Sequence, residues 1–246
     1  MLIIDAHAHI CLGWEELGIP GHAERALELM DRHGIGIACV SNSRALRHDY
    51  VRGNDLVADA LRRWPDRFRG YAAVNPLRPE EAIAEVRRRL DEPGFIGMKL
   101  HVSHHQIAYD DPRHLTLLER AAEWQIPVLL HVFGDTASLG RAADEVPEAV
   151  LIAGHMGGYR WDQVLDVAAR HPNIHLETCG SCTEAGRLEA AVATVGAERV
   201  LFGTDLPLLD PSSWLAIIQE EAALTDKQRE AILGRNMARL AALEVV

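Results

Sequence analysis

Eight short apolar runs alternate along the chain with longer amphipathic segments, and this order constrains the fold more than any other feature. The runs fall at residues 2–9, 36–42, 68–75, 95–102, 127–132, 149–155, 173–179 and 200–205. Most are continuously apolar, the pattern of strands covered on both faces of a parallel sheet. Between them apolar residues recur at helical spacing, as in Val57, Leu61 and Trp64, or Trp161, Val164, Leu165 and Ala168. Punctuation agrees: Pro79 with Glu80 and Glu81 reads as a helical first turn, Thr225 to Gln228 as a capping box, and Pro65, Gly94, Pro127 and Pro172 as connections. Strict alternation of this length predicts an α/β fold: a single, slightly distorted (β/α)8 TIM barrel over residues 1–246 with an extra C-terminal helix. An open doubly wound sheet would gather ligands at one switch point. Here polar residues recur at the ends of the first, fourth, fifth, sixth and eighth runs, which only a closed barrel brings together.

Charge narrows the partners. A formal net charge of −11 opposes nucleic acid or an anionic membrane surface and leaves a small-molecule substrate as the expected partner. The sequence leaves self-association into a homo-oligomer open. Arg62-Arg63 and Arg87-Arg88-Arg89 read as solvated helix faces. No apolar stretch approaches the ~20 residues of a membrane span, and no signal-peptide pattern precedes the first run. The expectation is a cytoplasmic chain with reduced thiols. Among Cys11, Cys39, Cys179 and Cys182, the last two form a Cys-x-x-Cys that lacks a second pair and ends a strand, so all four read as ordinary thiols.

The chemistry sits where the apolar runs end. His7 and His9 are two apart on a strand, so their side chains share a face and offer two nitrogens to one divalent ion. His131 ends the fifth run, His155 the sixth and Asp205 the eighth. A buried aspartate is costly without a cation beside it. His7, His9, His131 and Asp205 are therefore the expected ligands of one metal, with zinc the first expectation. His155 is the expected proton-transfer or polarising group, and Asp205 the carboxylate base. Asp5 is expected to orient its strand or a ligand.

Together these segments resemble the amidohydrolase superfamily, within it the amidohydrolase 2 branch related to aminocarboxymuconate-semialdehyde decarboxylase. The resemblance spans nearly the whole chain and rests on Ile4-Asp-Ala-His7-Ala-His9, Gly97-Met-Lys99-Leu-His101, His131, Gly154-His155-Met-Gly-Gly158, Gly203-Thr-Asp205-Leu-Pro207 and Ile232-Leu-Gly-Arg-Asn236-Met-Ala-Arg-Leu240. It implies zinc or another divalent ion on the residues matching His7, His9, His131 and Asp205, with His155 catalytic. It also makes Lys99 ambiguous. Carboxylated on its amine, Lys99 would bridge a second metal; left as an ammonium, it would meet a substrate carboxylate. One metal is the preferred expectation. His101 shares the face of Lys99 and lines the pocket or adds a ligand.

Two activities follow. The first expectation is a hydrolase of a small amide, lactone or ester-like bond using metal-activated water. The alternative is a non-oxidative decarboxylase of a small unsaturated or aromatic acid. Glu177, Trp14, His104, His105, Tyr109 and Phe133 are candidate substrate contacts. The segments 10–21 and 102–113 are candidate lids. A metal-free phosphosugar isomerase would want a glycine-rich phosphate cradle late in the chain, which is missing.

Overall fold

A computed structural model describes residues 1–10, 18, 21–180 and 183–243. Candidate contact Trp14, most of the first candidate lid, Cys11 and Cys182 lie outside the described residues. Eight parallel strands run in sequence order around the molecule: β1 (Ile4–His9), β2 (Ile37–Ser41), β3 (Phe68–Ala73), β4 (Phe95–Leu100), β5 (Val128–His131), β6 (Leu151–Gly154), β7 (Ile174–Glu177) and β8 (Val200–Leu201). Helices return the chain between them: α1 (Ala23–His33), α2 (Ser43–Arg47), α3 (Tyr50–Arg63), α4 (Pro79–Leu90), α5 (Val102–His105), α6 (Pro112–Glu123), α7 (Thr136–Glu145), α8 (Trp161–Arg170) and α9 (Arg187–Val195). After β8 come α10 (Ser212–Ala216), α11 (Asp226–Glu230) and α12 (Asn236–Leu240). The expected alternation and closing helix are both present, α4 starts at Pro79, and Thr225 and Gln228 form the capping box.

The barrel closes between β8 and β1 by a sparse seam. Ala6 N–H donates to Phe202 O at 2.8 Å, His9 N–H to Leu206 O at 2.7 Å and Asp205 N–H to His7 O at 2.8 Å. Asp5 reinforces it: its carboxyl accepts from His7 N–H at 3.0 Å and from the Thr204 hydroxyl at 2.5 Å. Burial pushes the Asp5 pKa up to about 8. Its expected orienting role is thus that of a clasp across the seam. Strand β8 is shorter than the apolar run 200–205 because the chain swings out of the ladder at Asp205, whose φ is 68°.

Two apolar layers form the core. The barrel interior holds Ile4, Ala6, Tyr71, Leu129, Ile152 and Leu201, residues of strands that meet only inside the barrel, and Met237 and Ala238 of α12 join them. The closing helix therefore plugs the end away from the strand C-termini, and Asn236 ties it down through the Ala197 and Val200 carbonyls, both at 2.7 Å. A larger layer lies between strands and surrounding helices. One reading of the arginine run changes. Arg87 and Arg88 are solvent-facing, but Arg89 is 1 % exposed and bonds Glu85, Glu92, Asp55 and the Val51 carbonyl, joining α4 to α3. Among the described residues, no helix is long and apolar enough to cross a membrane.

Candidate active site

The strand C-termini surround a cavity of about 280 Å³ lined by His7, His9, Lys99, His101, His131, His155 and Asp205, with Arg47, His104 and Leu208 toward its mouth. Every expected ligand and the expected catalytic residues thus line one cavity. His22, His33, His48, His114, His171 and His175, given no role from sequence, do not line it.

Within the cavity the donors divide. Asp205 Oδ1 lies 2.9 Å from His9 Nε2 and 3.7 Å from His7 Nε2. The other nitrogen of each ring is already engaged: His7 Nδ1 meets Glu177 Oε2 at 2.8 Å, and His9 Nδ1 meets the Ser41 hydroxyl at 3.1 Å. This is how ligand imidazoles are fixed around a metal, with an outer group holding the tautomer so that Nε2 faces inward. Three donors within 4.8 Å of one another, all buried and one of them anionic, fit a divalent cation. Burial acts to raise the Asp205 pKa, but the hydrogen bond from His9 and the electrostatic influence of the surrounding imidazoles outweigh it and hold the carboxyl well below its usual range. Burial keeps His7 neutral.

His131 stands slightly apart from this group. Its Nδ1 lies 2.9 Å from His155 Nε2, and its ring stacks on His101 with centroids 3.8 Å apart. Burial and the neighbouring His155 push His131 down to about 2, and burial and His7 push His155 down to about 3. Both rings are neutral at pH 7. Lys99 is fully buried, its Nζ 2.8 Å from His7 Nε2, and burial lowers its pKa to about 8. The amine therefore occupies the lone pair that a metal on His7 would use.

Several contacts were not legible from spacing. Glu177, a candidate substrate contact, is fully buried behind His7 and also accepts from His155 N–H at 3.3 Å. Gly203 makes room for it, since a Cβ there would lie 2.0 Å from Glu177 Oε1. Cys179 Sγ sits 3.0 Å from both His7 Nδ1 and His155 Nδ1, wedged between the two rings. Tyr109 is likewise buried, its hydroxyl bonded to the His131 carbonyl at 2.6 Å, so it supports β5 and does not face substrate. Ser41 was detectable only through register, because it pairs with His9. Of the remaining candidates, His104 stacks on His101 and Phe133 meets His155 edge-on with centroids 5.0 Å apart, whereas neither Phe133 nor His105 lines the cavity. The candidate lid 102–113 contains α5.

Comparison with known proteins comes to the same fold. A family model described as Amidohydrolase matches residues 4–241. The chain is 24 % identical to gamma-resorcylate decarboxylase of Polaromonas sp. strain JS666, over 75 % of this chain and 76 % of that one. A crystal structure of dihydroxybenzoic acid decarboxylase from Polaromonas sp. JS666, with bound manganese and the inhibitor 2-nitroresorcinol, superposes with a TM-score of 0.79 at 20 % identity, covering 100 % and 98 % of the two chains. That of 5-carboxyvanillate decarboxylase from Sphingomonas paucimobilis gives 0.82 at 16 % identity, covering 99 % of each.

Proposed function

The chain belongs to the amidohydrolase family, and from that premise we propose that it is a divalent-metal-dependent decarboxylase of a small aromatic carboxylic acid. The observation that carries this reading is the His7, His9 and Asp205 cluster in a cavity of about 280 Å³ that also holds the buried amine of Lys99. A cavity this size, near the lower end of ligand pockets at roughly 300 Å³, suits one substituted ring. The relatives support decarboxylation over the hydrolysis first expected, since those compared bear the names of decarboxylases of hydroxylated aromatic acids. Manganese in one relative supports a divalent ion without favouring zinc, and imidazole with carboxylate suits either.

His7, His9 and Asp205 would hold the ion, with His131 a further imidazole lining the same cavity. A bound divalent ion supplies Lewis acidity that orients and polarises a substrate oxygen. Lys99, whose amine meets His7 Nε2 in the free cavity, would take a substrate carboxylate as its natural partner. His155 carries the proton. It is neutral in the free cavity, and an incoming carboxylate favours its protonation by opposite charge. The imidazolium gives its proton to the ring carbon that bears the carboxylate. The bond to the carboxyl carbon then breaks with its electron pair left on the ring, and CO2 leaves: one proton enters and one CO2 departs. Phe133 packs edge-on against the His155 ring.

The enzyme loaded with Mn2+ or Zn2+ is to be incubated with 2,6-dihydroxybenzoate and 5-carboxyvanillate, and in parallel with lactones and amides. Release of CO2 from a hydroxybenzoate is the expected result. Hydrolysis of the second panel without CO2 from the first would overturn the reading in favour of the hydrolase.

A further inference from the structure

We propose that Arg187, which lines no part of the cavity, is a positioning residue for His155. The inference takes from the preceding reading only that His155 serves the reaction.

It begins with backbone geometry. β6 ends at Gly154, and the next four residues all have positive φ: His155 at 59°, Met156 at 46°, Gly157 at 80° and Gly158 at 60°. Two of the four carry side chains, and L-residues persist in this region only where their surroundings over-determine the conformation. The surroundings are specific. His155 N–H donates to Glu177 Oε2 at 3.3 Å, while Arg187 Nη2 donates to the His155 carbonyl at 2.6 Å and to the Met156 carbonyl at 3.2 Å. The residue that carries the imidazole is thus held from both sides, by a buried carboxylate at its nitrogen and a buried guanidinium at its oxygen.

Burial and position make Arg187 an unusually placed cation. It is fully buried and opens α9, where the helix dipole presents its positive end. Its hydrogen bonds to two successive carbonyls, turned toward it by the left-handed backbone, explain why it is there. Fixing the backbone also fixes the ring. His155 Nε2 then lies 2.9 Å from His131, and Nδ1 lies 3.0 Å from Cys179 Sγ. Gly180 lets the backbone pass beside that edge, since a Cβ there would come within 3.3 Å of Nδ1.

The test uses Arg187→Ala and Arg187→Lys in the full chain, with thermal melts to establish folding. Histidine-labelled protein gives the first readout, the His155 ring signal being assigned by its loss in His155→Asn. It is expected to be single and sharp in the parent, broadened or split in Arg187→Ala, and sharpened again by millimolar guanidinium ion. The second readout is turnover. Arg187→Ala should lower kcat by about 10–100-fold with KM little changed, the range for outer groups that orient an active one. On a His155→Asn background the same change should cost little more, because both act through one ring. Arg187→Lys, which keeps the charge and a donor, should fall between and serves where Arg187→Ala folds poorly. An unaltered His155 signal in a folded variant, or a kcat loss that multiplies in full with His155→Asn, overturns the proposal. Should decarboxylation itself fail, the ring signal still decides the role of Arg187.

Discussion

The imidazole of His7 rests on Glu177 and Cys179 behind the cavity and on the Lys99 amine within it, so its chemistry is set largely from behind. Replacing Glu177 by Gln should weaken metal binding about 10–100-fold while the fold persists, as measured by competition with a chromogenic chelator. Gly203→Ala should move in the same direction, because its methyl would displace the Glu177 carboxylate. His155 responds differently. His155→Asn should keep its metal by elemental analysis yet lose about 10²–10⁴ in turnover, the range of acid–base groups; loss of the metal instead would make His155 a ligand. The residues legible in sequence were those whose place at a strand end was enough: His7, His9, Lys99, His101, His131, His155 and Asp205 all reach one cavity. For Glu177 and Tyr109 the place was legible and the role was not. A strand end or a nearby loop tells which mouth a side chain approaches, not whether it faces the cavity or stands behind another residue.

At the level of elements, the order of strands and helices was readable because continuous apolar runs and helical stripes are both periodic signals. The departures have local causes. β8 stops early because the chain must turn out of the ladder to present Asp205. The Arg87–Arg89 run did not reveal that one of its three members is internal, since burial depends on where α3 lies. Arg89 gives α4 a polar attachment to α3 through Asp55 and the Val51 carbonyl. Arg89→Met should destabilise the protein toward the lower end of about 3–5 kcal/mol, because Arg88 and Asn54 continue to serve Glu85. Urea denaturation measures the loss, and kcat of the folded variant should not change.

Over the whole molecule, buried histidines tie stability to pH. His175 is held down to about 4 and His155 to about 3, both mainly by burial, against about 6.5 in an unfolded chain. Between those values and 6.5 the unfolded chain binds more protons. Stability should therefore be fully present above pH 6.5 and fall as pH drops toward 4, by up to about 1.4 kcal/mol per pH unit for each such histidine. Asp5, raised to about 8 by burial, has the opposite sign and loses its contribution as pH rises from its ordinary value toward 8. Thermal melts of the metal-free protein from pH 7 to pH 4 test this, and His175→Gln should flatten the curve by about one proton's worth of slope. The seam between β8 and β1 has a consequence in time. His7 and His9 leave the ribosome first among the donors and Asp205 last, and the cluster exists only once the two ends of the chain have met. The proposed ion can then bind tightly only to a finished, closed barrel. A chain cut before Thr204 would keep the two imidazoles of that cluster and lack its carboxylate, so it should bind Mn2+ or Zn2+ more weakly than the closed barrel.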